Sequence, residues 1–424
     1  MPLPPPPQIH RIEDLDIPQV KIHNITGDIP VYELSKKGCE VVMMEFVFFG
    51  GRPQEDKPLA ATCTAALMRE GAGSYDAEAL SEEIDFHGAT FTVMASMDLI
   101  TLKVVCLKKH HERMLQLVQM VLCDPHLREE ELSIFVGKRV ERLQIELAKN
   151  DVISYRELTA GLFGREHPYG YNSEPDMYHR VTASDLRAHY AKVIHQSNCQ
   201  VYIAGDTDED MLSKIDRALR PMSREGRSLR HVYVPEVISE PSSVHHVANP
   251  AQTSIKIGRR TFNRQHADFE TLFFTTTLLG GFFGSRLVNR IREELGLTYG
   301  IYSSLDPQLF DGSLMIATEV ANGRVEECID EIYKEMTDLQ NIPVEEDEML
   351  LVKNYLMGSY LNLFDGPFNS VKVIKFLLLA GIPLDNLDAL IRSSMTIQPE
   401  QVMDTAKRYF NRNDFWVVTV GSPK

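Results

Sequence analysis

"VTASDLRAHYAKVIHQSNCQVYIAGD" (residues 181–206) and "IQPEQVMDTAKRYFNRNDFWVVTVGS" (residues 397–422) are two versions of one segment. Each opens with a capped amphipathic helix, passes an Asn-containing polar turn, and closes with an apolar strand that ends at glycine. Val181 aligns with Ile397 and Gly205 with Gly421, a constant offset of 216. Upstream, "HERMLQLVQMVLCDPHLREEELSIFVGKRVERL" and "VEECIDEIYKEMTDLQNIPVEEDEMLLVKNYL" match in the same way. Both read as a helix, a Pro-containing loop and a longer helix that runs from acidic to basic. A repeat this long cannot be a solenoid unit, so the chain is a duplicated domain.

The strands "EVVMMEFVFF", "LITLKVVCL", "GSLMIATEV" and "FWVVTV" do not alternate strictly with helices. The fold class expected is therefore α+β: two homologous halves with antiparallel-rich sheets and helices packed on one face. The boundaries follow from composition. Residues 1–25 form a proline-rich arm, with five prolines in its first seven residues. Residues 26–217 are the first half. Residues 218–250, rich in Pro, Ser and charge, are a linker with room for one short strand. Residues 251–424 are the second half.

The chain has 424 residues, 43% apolar and 25% charged, ordinary for a globular protein. A net charge of −16 argues against nucleic acid or an anionic membrane as partner. No apolar run spans a bilayer, and no basic-then-apolar leader opens the chain. The six cysteines, Cys39, Cys63, Cys106, Cys123, Cys199 and Cys328, are scattered and show no C-x-x-C. They read as free thiols, which with the missing leader points to the cytoplasm.

A zinc hydrolase needs two histidines on one helix face with a Glu beside them. Among 14 histidines no two stand four apart. His110–His111 and His245–His246 are adjacent pairs whose rings diverge, and His167 in "EHPYGYN" is a turn residue. No Gly-rich phosphate loop and no G-x-S-x-G is present.

The stretch "GGFFGSRLVNRIREELGLTYG" (280–300) is the most unusual in the chain. Gly280–Gly281 ends one helix, Ser285 caps the next, and Gly296 ends that one. On a helical wheel Leu287, Val288, Ile291 and Leu295 form an apolar arc about 100° wide. Arg286 and Arg290 face water, within pairing reach of Glu293 and Glu294. Arg292 sits at the rim of the arc, and Tyr299 opens the strand that follows.

The duplicated halves, this stretch, "HPYG" and the strand end "YIAGD" resemble the pitrilysin/insulinase family of zinc peptidases. That family, the inverzincins, includes the mitochondrial processing peptidase and the core proteins of the cytochrome bc1 complex. The resemblance runs from about residue 30 to 424 and is nearest to the short bacterial members, each chain a half-clamshell that works in pairs. It implies H-x-x-E-H nine residues before a helix-ending glycine, here Gly71. That count places the ligands at Thr62 and Ala66 and the base at Ala65, none of which can do the work; Cys63 falls at a non-ligand place. A third ligand would be sought at Glu141 or Glu146, which without histidines read as surface carboxylates. The resemblance also implies an Arg and a Tyr seven residues apart that hold the scissile peptide from across the clamshell. Arg292 and Tyr299 have that spacing; the plainer alternative is an Arg paired with a neighbouring Glu and a Tyr packed at a strand end. Only "LGGFFG" stands where alpha-type processing-peptidase subunits carry a long glycine-rich loop. The expectation is a non-catalytic subunit that binds no zinc itself. It would supply Arg292 and Tyr299 to a homologous partner bearing H-x-x-E-H and zinc, with peptides as substrate. The alternative is a homodimeric peptide-binding or scaffold protein.

Overall fold

The computed structural model describes residues 18–226, 242–247 and 252–421. The first half contains, in order, β1 (Lys21–Ile25), β2 (Ile29–Ser35), β3 (Val41–Phe49), α1 (Ala60–Leu67), β4 (Gly71–Ala72), β5 (Tyr75–Asp76), α2 (Ala77–Phe86), β6 (Thr90–Ala95) and β7 (Leu99–Leu107). It continues with α3 (His111–Cys123), α4 (Glu129–Glu146), α5 (Asn150–Phe163), α6 (Pro175–His179), α7 (Ala183–Val193), β8 (Cys199–Gly205) and α8 (Glu209–Leu219). The second half runs β9 (Ser243–Val247), β10 (Thr253–Thr261), α9 (Phe269–Thr276), β11 (Ile301–Pro307), β12 (Gly312–Val320) and α10 (Val325–Asn341). It ends with α11 (Glu346–Leu363), α12 (Gly366–Leu379), α13 (Leu387–Thr396), α14 (Pro399–Tyr409) and β13 (Trp416–Gly421).

The duplication is visible in the strand order. The first sheet reads β6-β7-β3-β8-β2-β1 and the second β11-β12-β10-β13-β9. Each has one parallel pair, β2 with β8 and β9 with β13; the remaining pairs are antiparallel. The repeated helices α7 and α14 both carry a capping box, Thr182 with Asp185 and Gln398 with Gln401.

Two boundaries shift. Lys21–Ile25 lies inside the expected arm yet pairs with β2 as a full strand. Ser243–Val247 lies inside the expected linker yet takes the place in the second sheet that β2 takes in the first. The second half therefore begins by residue 243, not 251. The rest of the arm (1–17) and most of the linker (227–241 and 248–250) lie outside the described residues.

Strand β3 shows how the sheet is buried. Val42, Met44, Phe46 and Phe48 point into a core shared with α1, α3 and α7. Met43, Val47 and Phe49 point to the opposite face, where Val371 and Ile374 of α12 cover them. Both faces are dry, which is why this strand reads as a continuous apolar run. The covering helix comes from the other half, and the exchange is reciprocal. Helix α5 of the first half packs on β10 and β13 of the second. Leu158 and Leu162 there meet Val418 and Val420. Gly161 lets the backbone of α5 approach Trp416, since a Cβ would lie 2.8 Å from its ring. Ion pairs join both exchanges: Lys375 of α12 with Glu45 of β3, and Asp151 of α5 with Lys256 of β10. Among the described residues, no helix is long and apolar enough to cross a membrane.

Candidate functional site

The N-terminus of α1 is fastened by a polar network. Leu59, at φ 73°, turns the chain into the helix. The Glu55 carboxylate accepts from the Ala61 backbone N–H (2.8 Å) and from the Tyr171 hydroxyl (2.6 Å). Burial raises the Glu55 carboxyl above its usual range, and those two bonds oppose the shift. The Arg52 guanidinium lies 4.3 Å from the centre of the Tyr171 ring and donates to the Pro168 and Tyr171 carbonyls. This accounts for "HPYGY": the turn is a clasp. His167 stacks on Phe163, and its Nδ1 accepts from the Tyr169 N–H at 3.1 Å. The Tyr169 hydroxyl donates to Asp98 at 2.5 Å. Asp98, 5% exposed, also accepts from the Leu309 N–H of the second half (3.4 Å), and burial pushes its carboxyl up to about 6.

On this fixed helix, Thr62, Ala65 and Ala66 share one face and line one cleft of about 470 Å³. Its other walls are Val93, Met94 and Ala95 of β6 and Phe135, Lys138, Arg139 and Arg142 of α4. The three positions reached by counting from Gly71 are thus brought together. Gly71 itself does not end the helix. Helix α1 stops at Leu67, and Gly71, at φ 123°, begins β4.

The donor set does not suit zinc. No carboxylate, imidazole or thiol lines the cleft. Glu141 is exposed, and Glu146 pairs with Arg142 at 2.9 Å; neither is in the lining. Cys63 is fully buried, and burial pushes its thiol up to about 12, so it stays protonated. His110 packs edge-on against His87, while His111 bonds the Lys108 carbonyl at 2.5 Å. His245 and His246 are neighbouring positions of β9. Among the described residues, no group of three His, Cys, Asp or Glu is placed to hold a metal ion.

In the second half, α9 winds into a π-helical turn, Thr277–Gly281, and stops where Gly280 leaves helical geometry (φ −158°, ψ 15°). A Cβ on Gly280 would lie 2.7 Å from the Ser303 nitrogen of β11, so only glycine permits this close approach. The helix resumes at Arg286 and becomes π-helical over Val288–Glu294. The left-handed Gly296 and a bond from the Leu297 N–H to the Ile291 carbonyl end it. Ser285 stands at the start as expected, and its carbonyl accepts from Asn289, but its buried hydroxyl has no partner among the described residues.

A π segment has more residues per turn than the wheel assumed, and this shifts the residues from Val288 onward, Arg290 and Arg292 among them. Leu287, Val288 and Ile291 are buried as expected. Arg286 does not face water. It makes a two-pronged pair with Glu348 of α11, both contacts at 2.8 Å. Arg290 bonds Glu294 at 2.7 Å, as expected, and also Glu331 of α10 at 2.9 Å. Arg292 has the loosest tie, 3.5 Å from Glu293, and its guanidinium lies 4.7 Å from the centre of the Phe283 ring. Tyr299 does not open a strand; β11 begins at Ile301, and Tyr299 stands in the loop before it, 93% exposed.

Tyr299 lines a second cleft, of about 450 Å³, between the halves. Thr298, Tyr302 and Glu319 lie on one side, with the Asp151–Lys256 pair across the join. Arg292 is not in that lining, so the structure does not place the two residues in one pocket. Reading by motif misses the Arg52–Tyr171–Glu55 clasp, Asp98 and the cations of α4. The last are legible, because Lys138, Arg139 and Arg142 stand at i, i+1 and i+4.

A family model described as "Peptidase M16 inactive domain" matches residues 180–356. A "probable inactive metalloprotease", YmfF of Bacillus subtilis, is 24% identical over 60% of this chain. An "uncharacterized zinc protease" of Mycobacterium leprae is 25% identical over 48% of it. The alignments span only 61% and 46% of those relatives' own lengths. A "non-peptidase homolog", YmxG of Helicobacter pylori, is 20% identical over 90% of this chain and 89% of its own. The fold is shared with the peptidase M16 inactive domain from Pseudomonas fluorescens (TM-score 0.87, 22% identity, 95% of this chain and 98% of that one). A protease from Helicobacter pylori has it too (TM-score 0.83, 13% identity, 96% and 100%). Over residues 180–356 and through these relatives this chain is similar to the M16 peptidases, and like the relatives named inactive or non-peptidase it stands apart from the zinc-bearing pattern, since its sequence carries no H-x-x-E-H motif.

Proposed function

We propose that this chain is the non-catalytic subunit of a two-chain, cytoplasmic zinc peptidase. A homologous partner carrying H-x-x-E-H would hold the zinc that activates the water. This chain's part is to bind the peptide and steady the carbonyl oxygen on which negative charge develops. Arg292 and Tyr299 are the donors suited to that oxygen, because a guanidinium is always charged and a phenol is a rigid O–H donor.

The observation that carries the reading is Tyr299. A tyrosine held 93% exposed, at the mouth of a cleft, is an O–H donor presented outward rather than a ring packed at a strand end. Arg292 supports it, since its guanidinium is laid over Phe283 and only loosely tied to Glu293.

A second reading is a homodimeric peptide-binding or scaffold protein. It is favoured by the cleft at Thr62, Ala65 and Ala66, which stays open with no metal-binding donor in its lining. One experiment separates the two. The tagged chain is isolated from its native cells, and co-purifying chains and zinc are measured on the same sample. A homologous H-x-x-E-H chain at about one to one, with zinc, supports the two-chain peptidase. The chain alone, zinc-free and dimeric, overturns it in favour of the binding protein.

A further inference from the structure

We propose that the cleft between α1, β6 and α4 is a binding site for the acidic side chains of an extended peptide. The proposal needs neither a partner subunit nor Arg292, so it stands or falls separately from the reading above.

Charge is the first argument. The chain carries −16, yet this concavity is lined by three cations and no carboxylate. Lys138 and Arg142 stand at i and i+4 on α4, where like charges repel unless an anion joins them. Arg139 donates its Nε to the neutral Tyr178 hydroxyl at 3.1 Å, and Glu146, outside the lining, acts on it only through space, so the fork's other nitrogens are left for a ligand. Arg142 does pair with Glu146, but its side chain is largely exposed, and such a pair exchanges readily.

Shape is the second argument. The floor, Thr62, Ala65 and Ala66, is small and uncharged, so the cations face open space of about 470 Å³. That exceeds what a bare inorganic anion fills. The wall opposite α4 is apolar: Val93, Ala95 and Met94, the last 61% exposed. It belongs to β6, the last strand of its sheet, whose outer main-chain groups have no ladder partner among the described residues. A ligand that meets cations on one side and an apolar strand edge on the other has carboxylates and an extended backbone.

The test is fluorescence anisotropy on the isolated full chain, using paired unstructured peptides. Both are acetylated and amidated at their ends and differ only by Glu→Gln at central positions. The Glu peptide should bind about tenfold tighter at low salt, with the advantage fading as salt screens it. Lys138→Gln with Arg142→Gln, both on the surface of α4, should abolish the advantage, while Lys407→Gln, on the exposed side of α14 away from the cleft, leaves it intact. Reversing both to Glu should shift preference to a Lys-bearing peptide, a gain that misfolding cannot mimic. Equal affinity for the Glu and Gln peptides overturns the proposal. So does an advantage that survives Lys138→Gln with Arg142→Gln, a preference that appears only with a free C-terminal carboxylate, or complete competition by inorganic phosphate at matched charge.

Discussion

The two halves use the same strand order and the same exchanged helix, yet they hold that helix differently. Under α12, the first sheet presents Met43, Val47 and Phe49, with Glu45 as the one charge on that face of β3. Under α5, the equivalent face of β10 presents Ser254, Lys256 and Gly258. One contact is oily; the other combines a Ser154–Ser254 hydroxyl bond (2.9 Å), an ion pair and a leucine over a glycine. The shared feature is that neither sheet can stay dry without the other half. The duplication therefore behaves as one cooperative unit, and its specificity resides in surfaces that the cores do not dictate.

The strongest way to break that comparison is to thin the first exchange and watch the second half. Ile374 is 1% exposed, and Ile374→Ala should cost about 2–4 kcal/mol. Trp416, the single tryptophan, lies in the second half against α5. Its fluorescence transition in denaturant should move to lower concentration by the same free energy as the circular dichroism transition. A Trp416 transition that stays in place while the circular dichroism transition splits would mean that the halves unfold independently.

Next in size is the asymmetry of function. In the co-purified pair, Arg292→Ala should lower turnover about 10²-fold while the two chains still assemble. A loss of under threefold removes the proposed transition-state role. Lys138→Gln, on the first half, should change which peptides bind and leave the catalytic step untouched.

Much of this is legible in the chain. The 216-residue offset, the apolar run of β3 and the helix-ending Gly296 are local patterns that tertiary structure keeps. What stays hidden depends on long-range pairing. Ser243–Val247 carries two histidines and sits among Pro and Ser, so only its partner β13 makes it a strand. Composition cannot reveal that a helix covers the other half's sheet. The π turns at 277–281 and 288–294 shift every angle drawn on a wheel of 100° per residue. Arg286 precedes the second of these turns in ordinary helical geometry; a wheel puts it in solvent because only tertiary packing brings Glu348 of α11 against it.

Asp98, whose carboxylate accepts from Leu309 of the other half, offers a pH-dependent test. Burial holds the Asp98 carboxyl at about 6, above its ordinary 3.8. The native state thus binds this proton more tightly than the unfolded chain does. The cost of the buried charge is fully present above about pH 6, and it disappears as pH falls below about 4. Set against Asp98→Asn, wild-type stability should rise by about 2–3 kcal/mol from pH 7 to pH 4. Paired urea titrations at each pH measure this difference, and a flat difference would place Asp98 outside the linkage.

The smallest effects sharpen the comparison among the three arginines of one segment. Arg286 and Arg290 both sit in ion pairs, so a count of salt bridges would rank them alike. Their surroundings rank them apart. Arg286 is 18% exposed and meets Glu348 through two parallel bonds; Arg286→Ala leaves that carboxylate without its fork and should cost about 1–2 kcal/mol. Arg290 works at the surface, where water replaces either of its partners, and Arg290→Ala should leave the melting temperature within replicate scatter. Neither change should alter turnover in the pair. If Arg290→Ala slows turnover as much as Arg292→Ala does, the segment acts through its net positive charge, and the case for one positioned guanidinium fails.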